Sequence, residues 1–246
     1  MVARKKTSRG AGKGTSKGIS TSTGPLSAPK PGDHNSHALA EAAPSEADPS
    51  SEPVYFWRPS QPKTGFLSQW WRSPFRDRSD PSRVYPTAEH YMMYQKAVLF
   101  RDPETGGRIL SASHPGEVKA LGRAVANFDY SVWKRERERI VREANWCKFS
   151  LPVSSSSNPS SSSREDTTPT LRDALLATGD RPLVEASPAD RIWGIGFKAA
   201  DAEKNRRRWG LNLLGKCLME VREQLRLEEQ EKDEAREKEK GGEEDG

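Results

Sequence analysis

The sequence predicts a mainly α, single compact domain with a few short β-strands and with disordered N- and C-terminal tails. Three observations predict it. Apolar side chains recur at three- and four-residue spacing in several stretches, the strongest near residues 88–100, 129–148 and 211–225. The β-like runs, by contrast, are only three or four residues long. Both ends of the chain lack the large apolar side chains that a core needs.

The chain of 246 residues divides accordingly. Residues 1–52 form a basic head rich in Ser, Gly and Pro, which cannot bury enough apolar surface to offset chain entropy. Residues 53–226 hold all seven tryptophans and are the size of one ordinary domain. Within them, 151–169 is a Ser-rich insert expected to be a flexible surface loop. Residues 227–246 alternate acids and bases and read as a solvated helical tail or as disorder.

The elements follow in order. Val54-Tyr55-Phe56-Trp57 and Gly65-Phe66-Leu67 are β-like pieces. Pro86 and Thr87 open the first clear helix, from about Ala88 to Phe100, with Thr87 as its cap. Tyr91, Tyr94 and Val98 should face the core from it. Asp102-Pro103 and Thr105-Gly106-Gly107 suggest a turn, and Ile109-Leu110 opens a short apolar piece. Ser113-His114-Pro115 looks like a helix start with Pro at the first position, the helix ending near Asn127. Asp129 to about Lys148 is a strong helix whose apolar side carries Trp133, Ile140, Val141 and Ala144. Thr170 caps a short helix that stops at Thr178-Gly179. Leu183-Val184-Glu185-Ala186 is strand-like. A basic loop, Lys204 to Arg208, precedes a last helix starting near Gly210-Leu211-Asn212.

Composition narrows the function. The net charge of +5 is modest, and Arg4-Lys5-Lys6 in the head offers a contact to nucleic acid or a nuclear import signal, with a plain solubilising tail as the alternative. No secretory signal and no membrane-length apolar run is visible, which predicts an intracellular protein of cytoplasm or nucleus. Cys147 and Cys217 fall inside helical patterns and read as buried small hydrophobes. Zinc, phosphate-loop and serine-elbow motifs are missing, and no metal or cofactor is implied. What remains is a set of acids and aromatics: Glu89, Glu185 and Asp190 with Trp133, Trp193 and Trp209. Glu89 lies in a helix first turn, a setting that favours its ionised form. Lys96 shares its helix face about 10 Å along the axis, so the pair could bracket a small anionic ligand.

Five segments in sequence order then carry a resemblance. They are Pro86-Thr87-Ala88-Glu89-His90-Tyr91, Gln95-Lys96-Ala97, Leu183-Val184-Glu185-Ala186, Asp190-Arg191-Ile192-Trp193-Gly194, and Trp209-Gly210-Leu211-Asn212-Leu213-Leu214-Gly215 continued by Leu218 to Arg222. Together they resemble the YbiA-like, or NADAR (NAD and ADP-ribose), family. The resemblance implies a small helical domain that hydrolyses N-glycosidic bonds. Its expected substrates are phosphorylated ribosyl compounds: ribosylamino intermediates of riboflavin synthesis, or ADP-ribose on a base.

Breaking a ribosyl C–N bond builds positive charge on the sugar, which a fixed carboxylate stabilises. Under the resemblance Glu89 is the first catalytic candidate, a dipole-complementing acid being the alternative. Asp190 is the second, to hold ribose hydroxyls or place the water, against an ordinary turn Asp. Trp193 beside Gly194 is a candidate to stack on base or sugar, and Trp133 is a weaker one because its spacing points to the core. Lys96 and Asn212, the latter at a helix start, are candidates for phosphate, and Glu185 for a supporting acid. Relatives show Ser-Asn-Phe where this chain has Ser68-Gln69-Trp70, which makes Gln69 the matching ligand contact with one more methylene. That difference keeps a second reading open, a non-catalytic module that binds ADP-ribose or a nucleotide.

Overall fold

The computed structural model describes residues 51–153 and 169–243. The basic head and most of the Ser-rich insert lie outside the described residues. Those described form seven α-helices and four short strands. They are β1 (Val54–Phe56), β2 (Phe75–Arg76), β3 (Val84–Tyr85), α1 (Ala88–Leu99), α2 (Pro103–Ser111), α3 (Pro115–Arg123), α4 (Tyr130–Ser150), α5 (Leu171–Leu176), β4 (Leu183–Glu185), α6 (Ala199–Ala202) and α7 (Leu213–Glu243).

Helix α1 is the hub, packed by α2, α3 and α4, and α4 in turn packs along α7. Strands β1 and β4 run parallel, with Phe56 opposite Glu185, and β4 lies on α7. Strands β2 and β3 are antiparallel, Phe75 opposite Tyr85. A single main core joins these layers through Phe56, Leu67, Phe75, Tyr85, Leu214 and Leu218. Burial of each such side chain contributes about 1.5–3 kcal/mol, so packing and not helix propensity holds the helices in place.

The caps behave as their residue types dictate. Thr87, Asp102 and Asp129 each accept a backbone N–H three residues on, and Thr170 with Asp173 forms a capping box. His114 caps α3 in front of Pro115. Cys147 and Cys217 are buried, and burial pushes both thiols up to about 12.

Several expectations need correction. Gly65–Leu67 is a tight 3-10 turn, because the Gly65 backbone comes so near Pro59 that a Cβ would sit 2.3 Å from its carbonyl oxygen. Residues 102–111 are a helix and not a turn: Asp102 caps it, Pro103 starts it, and Gly106 packs flat on Tyr94 and Ala97. Ile109 and Leu110 are its last turn. Val98 is exposed, since α2 covers the neighbouring face through Tyr94 and Ala97. Helix α3 stops at Arg123, before Asn127, which adopts a positive φ. Residues 199–208 are α6 and a following 3-10 turn, packed around Ala202, Tyr55 and Trp209. Leu211 is exposed and precedes α7, whose buried stripe is Leu214, Leu218, Val221 and Leu225. Residues 227–243 continue α7, and from 229 to 239 they are exposed.

Candidate active site

A cleft of about 1230 Å³ opens between α1, α3, α4 and the segment after β4. Its wall collects Glu89, Glu185 and Asp190 with Trp133 and Trp193. Each arrives for a local reason. Thr87 caps α1, which places Glu89 in the first turn with its backbone N–H donated to Gln69 O at 3.0 Å. The Trp70 indole donates to the Glu89 carboxylate. Glu185 ends β4, where its N–H donates to Asn212 Oδ1 at 2.9 Å. Asp190 Oδ1 accepts the N–H groups of Ile192 and Trp193, both at 2.8 Å, which fixes the carboxylate's orientation and closes a tight turn.

Glu89 contradicts its expected ionised state. It is 4% exposed, and burial pushes its carboxyl up to about 7, with the Asp190 charge adding to the rise and Lys119 and Trp70 opposing it. Desolvation costs a buried charge more than a helix dipole returns. Glu185 goes further, to about 8, through burial and then the charges of Asp190 and Glu89. The residue as a whole is partly exposed, but its Oε2 is enclosed and has no partner. Two acids whose carboxyls lie near neutrality beside a third carboxylate have the protonation states that acid–base chemistry requires. Among the described residues no group of His, Cys, Asp and Glu has the arrangement of a metal site.

Gln69 lines the cleft with its Oε1 accepting from Asn145 Nδ2 at 3.1 Å, while its Nε2 is buried without a partner. Asn145 Nδ2 also donates to Val141 O, which fixes the sense of both amides. Lys96 reaches the cleft, but its ammonium donates to Gly122 O at 2.6 Å and lies 4.1 Å above the Phe128 ring. Trp133 is 9% exposed and forms wall as well as core.

Two predicted contacts fall elsewhere. Asn212 is not on the wall: its amide spans β4, donating to Leu183 O at 2.9 Å and accepting from Glu185 N. The first two N–H groups of α7, those of Leu213 and Leu214, donate to the carbonyls of Ile192 and Trp193 and are not available to a phosphate. Gly194 is also off the wall. Its missing side chain admits Glu185 O, which a Cβ would approach to 2.6 Å, so the glycine serves packing of the turn on β4.

Residues 55–226 match the family model of the NADAR domain. The chain belongs to the NADAR family. N-glycosidase R617 of Acanthamoeba polyphaga mimivirus is 37% identical over 177 residues, covering 70% of this chain and 95% of the relative. N-glycosidase Npun_R5314 of Nostoc punctiforme is 37% identical, covering 58% of this chain and 75% of the relative. The solved NMR structure of Escherichia coli YbiA superposes with a TM-score of 0.53 at 28% identity, covering 74% of this chain and 89% of that one, so the NADAR chain has a YbiA-like fold. No helix among the described residues is long and apolar enough to cross a membrane.

The NADAR cleft also contains residues that sequence reasoning passed over: Trp70, Lys119, Arg123 and Arg137. Arg137 had a readable signal. It sits four residues after Trp133 and three before Ile140, so a charge occupies the apolar stripe of α4. Lys119 had none, since α3 shows it as one more surface lysine.

Proposed function

We propose that this NADAR-family N-glycosidase hydrolyses the bond between the anomeric carbon of a phosphorylated ribosyl group and a nitrogen. The nitrogen belongs to a base that carries ADP-ribose, or to a ribosylamino intermediate of the riboflavin type. The observation that carries the reading is the meeting of Glu89, Glu185 and Asp190 with two tryptophans in one cleft. As the C–N bond breaks, the electron pair leaves with nitrogen and the sugar becomes an oxocarbenium ion. Glu89, half ionised near pH 7, faces that charge and takes a proton from the attacking water. Glu185, neutral up to about pH 8, gives its proton to the departing nitrogen. Asp190 holds ribose hydroxyls or the water, and Trp193 and Trp133 stack on the flat parts of the ligand. Gln69 offers its unspent N–H to an acceptor on the ligand.

Glu89→Gln keeps the shape and removes the base. Released base, followed by chromatography of candidate substrates, should fall at least about 100-fold while the circular dichroism spectrum stays unchanged. Full turnover by that variant overturns the mechanism. The second reading, binding without cleavage, is favoured by Gln69 in place of the family's Asn; it predicts tight ADP-ribose binding by the wild type with no base released. The basic head is proposed as a nucleic-acid contact inside the cell, in cytoplasm or nucleus. That contact predicts salt-dependent binding that disappears with deletion of residues 1–50.

A further inference from the structure

We propose that Arg137 is the specificity-determining residue for the substrate's phosphate, with the Trp193 ring as the wall that orients it. This inference rests on the phosphorylated ribosyl substrate proposed above. Helix α4 turns Arg137 inward with Trp133, Val141 and Ala144, and the residue is 3% exposed. It nevertheless lines the cleft. Among the described residues it has no carboxylate partner and no hydrogen bond, and its Nε is fully enclosed with no acceptor. Its one neighbour of note is Trp193, whose ring centroid is 6.0 Å from the guanidinium carbon. A buried, unpaired cation is costly, and native proteins rarely keep one without a counter-charge that arrives from outside.

The other cations of the cleft are bonded within the protein or are less buried. Lys96 is bonded to Gly122 O, and Arg191 donates to Arg208 O. Arg58, over the Trp57 ring, and Arg123 are exposed, and Lys119 is half-buried. Arg137 is the arginine of the cleft wall that is both buried and without a hydrogen bond, and a guanidinium fork has the geometry that grips a phosphate with two parallel bonds. Arg137 stands on α4, whereas the acids stand on α1, on β4 and in the segment after it. A 5′-phosphorylated ribosyl group presents its reacting C1′ and its phosphate-bearing C5′ on opposite sides of the ring oxygen.

The test uses ribose 5-phosphate and ribose, titrated by calorimetry into the wild type, Arg137→Gln, Arg137→Lys and Glu89→Gln. Neither probe has an N-glycosidic bond, so the outcome is independent of hydrolysis. The wild type and Glu89→Gln should prefer ribose 5-phosphate at least tenfold. Arg137→Gln should bring the two probes to near parity and, freed of a buried charge, melt above the wild type without ligand. Arg137→Lys, which keeps the charge but loses the fork, should retain only part of the preference and decides the matter if Arg137→Gln fails to fold. An undiminished preference in Arg137→Lys and in any folded Arg137→Gln overturns the proposal, as does a wild type that does not distinguish the probes. A protein that selects ribose 5-phosphate through Arg137 yet releases no base keeps this subsite and loses the hydrolytic reading. One that cleaves a phosphorylated substrate with the Arg137 variants unimpaired in selection loses the subsite alone.

Discussion

At the scale of the residue, Glu89 and Glu185 carry a charge state chosen by burial. Their carboxyls rise from the ordinary 4.5 to about 7 and about 8. A raised acid stabilises the fold fully below its unfolded value and loses that contribution as pH climbs through the folded one. Both acids therefore make the protein less stable between about pH 4.5 and 8. Ionising Glu89 in the folded chain costs on the order of 3 kcal/mol more than in the unfolded one, since each tenfold change in proton affinity is worth about 1.4 kcal/mol. Glu89→Gln combined with Glu185→Gln should flatten the decline of melting temperature across that window. A variant whose melting temperature falls as steeply as the wild type's would show that other groups drive it. The same two values predict a hydrolysis rate that rises with Glu89 ionisation near pH 7 and falls as Glu185 loses its proton near pH 8, a bell that a rate profile reads directly.

At the scale of the element, α4 is the strip on which most of the cleft is laid out. Trp133, Arg137, Val141, Asn145 and Lys148 follow one another along its inner side over about 22 Å. Trp133 and Arg137 face the cleft, Asn145 holds Gln69, and Lys148 holds the turn that carries Gln69 and Trp70. The Lys148 nitrogen donates to Phe66 O at 2.6 Å and to Ser68 O at 3.1 Å. Burial pushes its ammonium down to about 7, and either protonation state has hydrogens enough for both carbonyls. Lys148→Met keeps the apolar stem, leaves Phe66 O unpaired at about 1–3 kcal/mol, and leaves Ser68 O with only the Trp71 N–H. It should lower the melting temperature, speed amide exchange at 66–70, and reduce kcat/KM through displacement of Gln69 and Trp70. Unchanged exchange in that turn would deny Lys148 its role as a tie. Much of this strip was legible in the sequence as a helix with an apolar face. Asn145 and Lys148 were not, because an Asn or Lys among Arg and Glu residues looks solvated until a partner element covers it.

At the scale of the whole molecule, the acids meet because three distant segments close on one another without side chains in between. A Cβ at Gly210 would lie 2.4 Å from Arg191 O, and one at Gly215 would lie 2.1 Å from Leu183 O and within 2.7 Å of both ends of the Asn212 amide. Gly215→Ala must therefore push α7 from β4 and spoil the Asn212 clamp that aligns Glu185. We expect a loss of about 1–3 kcal/mol in stability together with slower turnover, measured by denaturant unfolding and by the rate of base release. A stable, fully active Gly215→Ala protein would mean that the clamp does not position Glu185. Here the sequence pointed to irregular backbone around Gly194 but for the wrong occupant, since the approach is by β4 and not by a ligand.

What the sequence determined by itself is the helical framework and the family. Caps such as Thr87 and Asp129, the apolar spacing of α4 and α7, and the ordered motifs depend only on neighbours a few residues away or on type at fixed positions. The tertiary structure decided which polar groups lose their water. Burial raised Glu89 and Glu185, isolated Arg137, and spent Asn212 on a strand, and each of these outcomes depends on what packs over a residue from far along the chain. Desolvation is a property of surroundings, so no reading of local spacing contains it.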